Sequence, residues 1–293
     1  MSKKLLFIIN PHSGNNSLPK DIESIIKATL DKEKFEFHIR YTKYAGHAEE
    51  IAQSAVEDEF NVIVAIGGDG TVNKIGKNLI NTDATLGIIP TGSGNGFARH
   101  FKIPLTIREA IKTINHGNIE TIDTGIVNGQ NFLNVAGIGF DAHISNLFNN
   151  KDHKRGFMNY ARLVIKEVLK YKPETYLIKT GDQENEVIAN MICFANSSQF
   201  GNNVFIAPSA NIQDKMLNIC IIKKFPLWRI PETVYRLFNK TIEKFPFYES
   251  FQISNLMISR HNHGLVQLDG EPFEMDKKLE ISVNPASLTV LVP

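Results

Sequence analysis

The chain has 293 residues, 42% of them apolar and 22% charged, and its charges nearly cancel at +1. That length favours two domains over one, and the near-neutral charge excludes a polyanion binder held by bulk electrostatics, nucleic acid included. The two cysteines, Cys193 and Cys220, each lie inside an apolar run, so they read as small core residues in a reducing compartment and exclude a disulfide framework.

The opening "MSKKLLFIINP" joins two lysines to an apolar stretch that superficially resembles a signal peptide. Asn10-Pro11 closes that stretch too early, so residues 5–9 are expected as a first strand. A helix follows with Ile22, Ile25, Ile26 and Leu30 on one face. Phe35, Phe37, Ile39 and Tyr41 then alternate as a strand, and Ala48, Ile51, Ala52 and Ala55 return to helical spacing. Residues 62–66 and 86–89 are further all-apolar strands, separated by a helix carrying Val72, Ile75 and Leu79. Fully apolar strands alternating with helices predict a Rossmann-like α/β domain over residues 1–124, with a parallel sheet covered on both faces.

After Asp123 the pattern changes. Asn128-Gly129 between two short strand patterns signals a hairpin. Strand-like runs then dominate, among them "YLIKT", "EVIANMICFAN", "MLNICIIKKF", "FQISNLMISR", "LVQLDGE", "LEISV" and "LTVLV". Two helical patterns interrupt them, at 157–172 and 231–243. Residues 125–293 are therefore expected as an antiparallel β-rich domain. No apolar run approaches the length of a membrane span, so a cytoplasmic protein is expected.

Three glycine- or asparagine-rich turns fall at strand ends of the first half: "NPHSG", "GGDGTVN" and "PTGSGNGFAR". Each precedes a helical pattern. In an open parallel sheet ligands bind beyond the carboxyl ends of the strands. Glycines let backbone N–H groups approach an anion, and a helix start adds donors, so the three turns together point to a phosphate cradle. No Gly-Lys-Ser/Thr run exists, which removes the P-loop. The pattern G-x-G-x-x-G also fails, because the third place falls on Phe97 after Gly92 and Gly94, and on Asn73 after Gly68 and Gly70.

These turns resemble the nucleotide-binding signatures of the diacylglycerol kinase and sphingosine kinase superfamily. The resemblance continues through "GIGFDAHI", "FIAPSANIQDKML" and "LDGEPF" in the family's order. It implies an N-terminal α/β domain, a C-terminal β domain, ATP and Mg²⁺ as cofactors, and phosphorylation of a hydroxyl on diacylglycerol or a sphingoid base. Asn10, Pro11, His12, Ser13, Gly14, Thr42, Gly67, Gly68, Asp69, Gly70, Thr71, Val72 and Asn73 would contact the nucleotide, with Ser93 and Asn95 in the third turn. Asp69 would hold Mg²⁺ near the phosphates, together with Asp123. Either Asp269 or Glu271 would accept the proton of the lipid hydroxyl.

"NIQDKML" resembles the family's structural metal site, with Asp214 and the carbonyls of Asn211 and Met216 as oxygen ligands suited to a hard cation. The family has glycine after this aspartate, and here Lys215 stands there. Gly96 follows the asparagine of the third turn where many diacylglycerol kinases have an acidic residue, closer to the sphingosine kinase form. Asp141 then becomes the candidate for gripping the lipid head. Phe225, Leu227, Trp228 and Ile230 among Lys223, Lys224, Arg229 and Arg236 suit a bilayer interface, as do Tyr160, Val164 and Val168 beside Arg162, Lys166 and Lys170. Lys154 and Arg155 are read as solvated charges, and the His261/His263 pair as unassigned. The rivals are an NAD kinase, which shares the Gly-Gly-Asp-Gly turn, and a nucleotide-binding regulator without activity. The oligomeric state is open, a homodimer included.

Overall fold

The structure, a computed structural model, describes residues 2–13, 18–150 and 157–293. The chain forms two compact units, Met1–Ile122 with Ala286–Pro293, and Asp123–Pro285. Gly14, Lys154 and Arg155 lie outside the described residues.

The first unit runs β1 (Lys3–Ile9), α1 (Ile22–Thr29), β2 (Phe35–Tyr41), α2 (His47–Glu57), β3 (Val62–Gly67), α3 (Asp69–Asn78), β4 (Thr85–Pro90), α4 (Gly96–His100) and α5 (Ile107–His116). β1 pairs in parallel with β2 and β3, and β3 with β4. The central strands read as continuous apolar runs because both faces are covered: every residue of β3 is buried. β2 has a strand partner on one side only, and accordingly shows the alternation of a half-covered edge. Phe7, Ile26, Ile63, Val64, Ile75, Leu79 and Phe97 belong to the buried core of this unit. α5 ends on Gly117 at φ 74°, the left-handed cap that glycine adopts without a Cβ penalty.

The chain passes into the second unit along β5 (Asn118–Val127) and leaves it along β17 (Lys278–Val292), and between them lie β6 (Gln130–Phe132), β7 (Val135–Gly139), α6 (Phe140–Asn150), α7 (Phe157–Val168), β8 (Glu174–Thr180), β9 (Gln183–Ala195), β10 (Gln199–Gly201), β11 (Val204–Phe205), β12 (Leu217–Lys223), α8 (Ile230–Phe238), β13 (Tyr248–Ile253), β14 (Asn255–Arg260), β15 (Gly264–Leu268) and β16 (Glu271–Met275). The strands of this unit pair antiparallel in the order β16-β15-β7-β9-β8-β14-β17, and β12 lies between β9 and β13. Alternate residues of β9 and β12 serve two cores. Ile192, Phe194, Ile219 and Ile221 join one, with Phe132, Tyr176 and Leu279. Cys193, Ala195, Cys220 and Ile222 join the other, with Phe245 and Tyr248. A strand buried on both faces needs an unbroken apolar run, which is what "MICFA" and "NICII" supply. Cys193 and Cys220 are buried, free and directly opposite one another.

Asn128-Gly129 forms the expected hairpin turn, with φ 48° and 79°, between β5 and β6. Three features differ from the sequence expectation. β17 pairs with β14 through residues 278–282, but Thr289 and Val290 pair in parallel with β4, so the last residues belong to the first unit. "FQISNLMISR" is two strands with different partners, β13 on β12 and β14 on β17 and β8. A third helix, α6, begins at the end of β7 and carries Asp141 in its first turn.

Candidate active site

In the first unit the turns after β1, β3 and β4 are tied to one another. Asn10 N donates to Ile66 O at 3.0 Å, and Asn10 Nδ2 to Thr71 Oγ1 at 3.0 Å. Its Oδ1 accepts from His12 N at 3.0 Å, so one side chain shapes its own turn and reaches the next. Ser13, buried, shares a hydrogen bond of 2.9 Å with Thr91 Oγ1, and Thr91 N donates to Gly67 O at 2.9 Å. Thr42 follows β2, its N–H on Ile9 O at 2.8 Å.

The glycines here have two different reasons. A Cβ on Gly92 would stand 2.5 Å from Gly68 Cα, and one on Gly68 would stand 3.1 Å from Gly92 Cα, so the two backbones touch. A Cβ on Gly67 would meet the Thr71 side chain at 2.4 Å. Gly70 is exposed, and a Cβ there would meet nothing within 4 Å. Packing therefore accounts for Gly67, Gly68 and Gly92, whereas Gly70 is open to a ligand. Asp69 is half-exposed at the first position of α3, at the positive end of the helix dipole.

Some of the residues expected to contact the nucleotide also have structural duties. Val72 is in the core and its N–H donates to Gly68 O at 3.1 Å. Thr71 N donates to the same carbonyl at 2.9 Å, and Asn73 is buried. Asn95, left-handed at φ 52°, folds its amide onto Gly92, accepting from Gly92 N at 3.0 Å and donating to Gly92 O at 2.8 Å. It shapes the third turn from within, and Ser93 is left exposed at its tip. Pro11 and His12 remain at the surface of the first turn.

In the second unit Asp269 and Gly270 make a two-residue turn between β15 and β16, both left-handed at φ 55° and 85°. The Asp269 carboxylate accepts from Leu133 N at 3.0 Å and from Asn134 N at 2.8 Å, and Asp269 N donates to Val135 O at 3.0 Å. Asn134 is itself held by Ser197 Oγ and by Gln199 O. Glu271, half-exposed, opens β16 directly after the turn. Asp141 is buried, with Oδ2 2.7 Å from Gln267 Nε2 and 3.9 Å from Cys193 Sγ. That burial pushes its carboxyl up to about 6, against the opposing pull of those two donors.

The 211–216 segment makes two tight turns. Asn211 Oδ1 accepts from Gln213 N at 3.1 Å, and Asp214 Oδ1 from Met216 N at 3.0 Å. Lys215 adopts φ 62°, so it takes the left-handed conformation that glycine would supply freely. Asp123 belongs here: its Oδ2 accepts from Lys215 N at 2.6 Å and its N–H donates to Ile212 O at 2.8 Å. The Asp123 carboxylate braces the 211–216 turn, a duty not evident in the sequence. Asp214 Oδ2 also accepts from Gln252 Nε2 at 2.8 Å. These oxygen donors suit a hard cation, although no cluster of three His, Cys, Asp or Glu side chains occurs among the described residues. The residues that sequence reasoning missed are Gln267, Asn134 and Asn149, polar groups inside otherwise strand-like or helical runs. The helical spacing of Phe140, Ile144 and Phe148 was the available signal for α6 and hence for Asn149.

Residues 4–127 match the family model described as diacylglycerol kinase catalytic domain, and residues 134–292 match the YegS C-terminal NAD kinase beta sandwich-like domain. A diacylglycerol kinase of Bacillus subtilis is 31% identical over 228 residues, which cover 76% of this chain and 74% of that protein. A diacylglycerol kinase of Mycobacterium tuberculosis is 29% identical over 301 residues, covering 99% and 95%. The crystal structure of a diacylglycerol kinase from Bacillus anthracis superposes with a TM-score of 0.75 at 21% identity, covering 99% of this chain and 97% of that one. An NAD kinase from Archaeoglobus fulgidus in complex with ATP reaches only 0.53 at 13% identity, covering 98% and 93%. At these identities the two solved structures speak for the fold alone.

Proposed function

The chain belongs to the diacylglycerol kinase catalytic-domain family of lipid kinases, and from that premise we propose that it transfers the γ-phosphate of ATP to a hydroxyl of diacylglycerol, with Glu271 as proton acceptor. The observation that carries the assignment of the base is the state of its neighbour. Both carboxylate oxygens of Asp269 are engaged by the amides of Leu133 and Asn134, which gives that side chain the task of fixing the turn. Glu271 then receives the proton of the attacking hydroxyl.

Phosphoryl transfer requires positioning and charge neutralisation more than covalent help. Gly70 supplies open backbone for the phosphates, the turns around Asn10 and Gly92 shape its surroundings, and Asp69 is the side chain suited to hold Mg²⁺. A Mg²⁺ held there would supply positive charge to neutralise the phosphates during transfer. Asp214, with the carbonyls of Asn211 and Met216, is the proposed structural cation site, and Asp123 steadies its turn.

A lipid substrate is drawn from a bilayer, and two surfaces fit that task. On α7 and in the turn that follows it, Met158, Arg162, Ile165 and Leu169 are exposed at helical spacing, and Lys166 and Lys170 flank them. This is a different face from the one the sequence suggested, since Tyr160 packs against Phe148 at 5.4 Å. The second surface is the segment into α8, where Leu227, Trp228 and Tyr235 are exposed and the Arg229 guanidinium lies 5.1 Å from the centre of the Trp228 ring. Apolar side chains among cations suit the interface of an anionic bilayer. Among the described residues no helix is long and apolar enough to cross a membrane, so peripheral contact is the proposed mode. Labelled ATP offered with dioleoylglycerol, monoacylglycerol, sphingosine, ceramide and NAD tests the reading. Labelled phosphatidic acid is the expected product, and labelled NAD with unlabelled lipids would overturn it.

A further inference from the structure

Behind the Asp-Gly turn lies a closed set of hydrogen bonds. Gln267, 2% exposed, donates from Nε2 to Asp141 Oδ2 at 2.7 Å and to Val135 O at 3.3 Å. Its Oε1 accepts from Gly270 N at 2.7 Å. Two acceptors on one side and a donor on the other fix the orientation of the amide, because the reversed amide would set N–H against N–H and oxygen against oxygen. Asn149, at the far end of α6 from Asp141, donates to Gly270 O at 3.0 Å. One helix therefore reaches both polar groups of Gly270, the carbonyl directly and the amide through Gln267. The approach requires Gly137, where a Cβ would stand 2.6 Å from Asp141 Oδ2.

A two-residue Asp-Gly turn reverses a chain without such help. These added ties instead hold the peptide that leads into Glu271. We infer that Gln267 is a positioning residue: the buried Asp141 carboxylate orients the Gln267 amide, whose oxygen holds the Gly270 amide and so aims Glu271 at the substrate hydroxyl. The inference rests on Glu271 being the proton acceptor, and it gives Asp141 a role behind the turn in place of one on the lipid head. The titratable groups facing Asp141 are the Cys193 thiol of β9 and the Tyr160 phenol of α7, both pushed up by burial and therefore neutral. A hydrogen bond to an ionised acceptor in such surroundings is among the stronger ones.

Two variants test this in the full chain, Gln267→Met, which keeps length and removes both hydrogen-bonding ends, and Gln267→Glu, which keeps an oxygen toward Gly270. The readouts are hydrogen exchange of the Gly270 amide by NMR, and kcat and KM for ATP with dioleoylglycerol in mixed micelles. Gln267→Met is expected to speed Gly270 exchange and to lower kcat roughly 10- to 100-fold, the effect of a misplaced catalytic group, with KM for ATP unchanged. Gln267→Glu is expected to restore Gly270 protection and part of kcat, the two carboxyls sharing one proton. Wild-type exchange and kcat in Gln267→Met, or equal losses in both variants, would overturn the inference. If Gln267→Met fails to fold, Gly270 protection in Gln267→Glu decides. If the wild type phosphorylates no acylglycerol, the lipid assignment is wrong, and exchange in the two variants still decides the role of Gln267.

Discussion

Gly70 and Gly92 separate the two reasons a phosphate-binding turn contains glycine. Gly92→Ala puts a methyl 2.5 Å from Gly68 Cα and 2.9 Å from Asn95 Oδ1, and the first of these is backbone that cannot rotate away. Overpacking of this kind costs about 1–3 kcal/mol, which lowers the melting temperature by roughly 2–4 °C per kcal/mol in a domain of this size. Gly70→Ala meets nothing within 4 Å, and position 70 lies in the first turn of α3. Replacing a helical glycine with alanine gains about 0.5–1 kcal/mol, so this variant should melt at or above the wild-type temperature. If phosphate oxygens approach the Gly70 backbone, the same methyl stands in their place and weakens ATP binding by about tenfold or more, equivalent to about 1.4 kcal/mol. Calorimetric ATP titration and thermal melting of both variants give the answer. A Gly70→Ala protein that binds ATP as tightly as the wild type would remove the cradle from that turn.

Three further outcomes are expected. Asp141 has a folded value of about 6 against an ordinary 3.8, so its contribution to stability is full below 3.8 and is lost as pH rises through about 6. That gap corresponds to about 3 kcal/mol, so Asp141→Asn should gain stability relative to wild type between pH 4.5 and 8 in denaturant titrations, and a constant difference would refute the burial argument. Asp269→Asn replaces the anionic acceptor of the Leu133 and Asn134 amides, which should cost about 1–3 kcal/mol in chemical unfolding, and an unchanged midpoint would contradict its bracing role. Trp228→Ser together with Ile165→Ser should weaken sedimentation with phosphatidylglycerol vesicles without changing ATP affinity, and undiminished sedimentation would clear both surfaces of that task.

Much of the first unit was legible because its signals are local. A strand buried on both faces must be apolar throughout, and "VIVAIG" and "LLFII" can be little else. The hairpin at Asn128-Gly129 was legible for the same reason, since two left-handed residues in sequence leave few choices. α6 was not, because "GFDAHI" begins inside a strand-like run and Asp141 looks like a cap at its end. Its apolar residues at 140, 144 and 148 follow helical spacing, but the strand pattern before them is stronger. The pairing of residues 289 and 290 with β4 spans the length of the chain and leaves no trace in the local pattern of either strand. Gln267 reads as one outward polar residue of an alternating strand, and only the helix packed beneath it makes that position an interior one. The bracing of Asp269 is likewise invisible in "LDGE", because the amides that reach its carboxylate come from residues 133 and 134, far away in the chain.

The central claim is that this lipid kinase uses Glu271 to take the proton of a lipid hydroxyl. It is tested most directly by single-turnover transfer of labelled phosphate from ATP to dioleoylglycerol in mixed micelles, comparing wild type with Glu271→Gln. The account predicts labelled phosphatidic acid from the wild type and a rate lower by roughly 10²–10⁴-fold in the variant, with ATP affinity and melting temperature held. Near-wild-type transfer by a folded Glu271→Gln protein would contradict it.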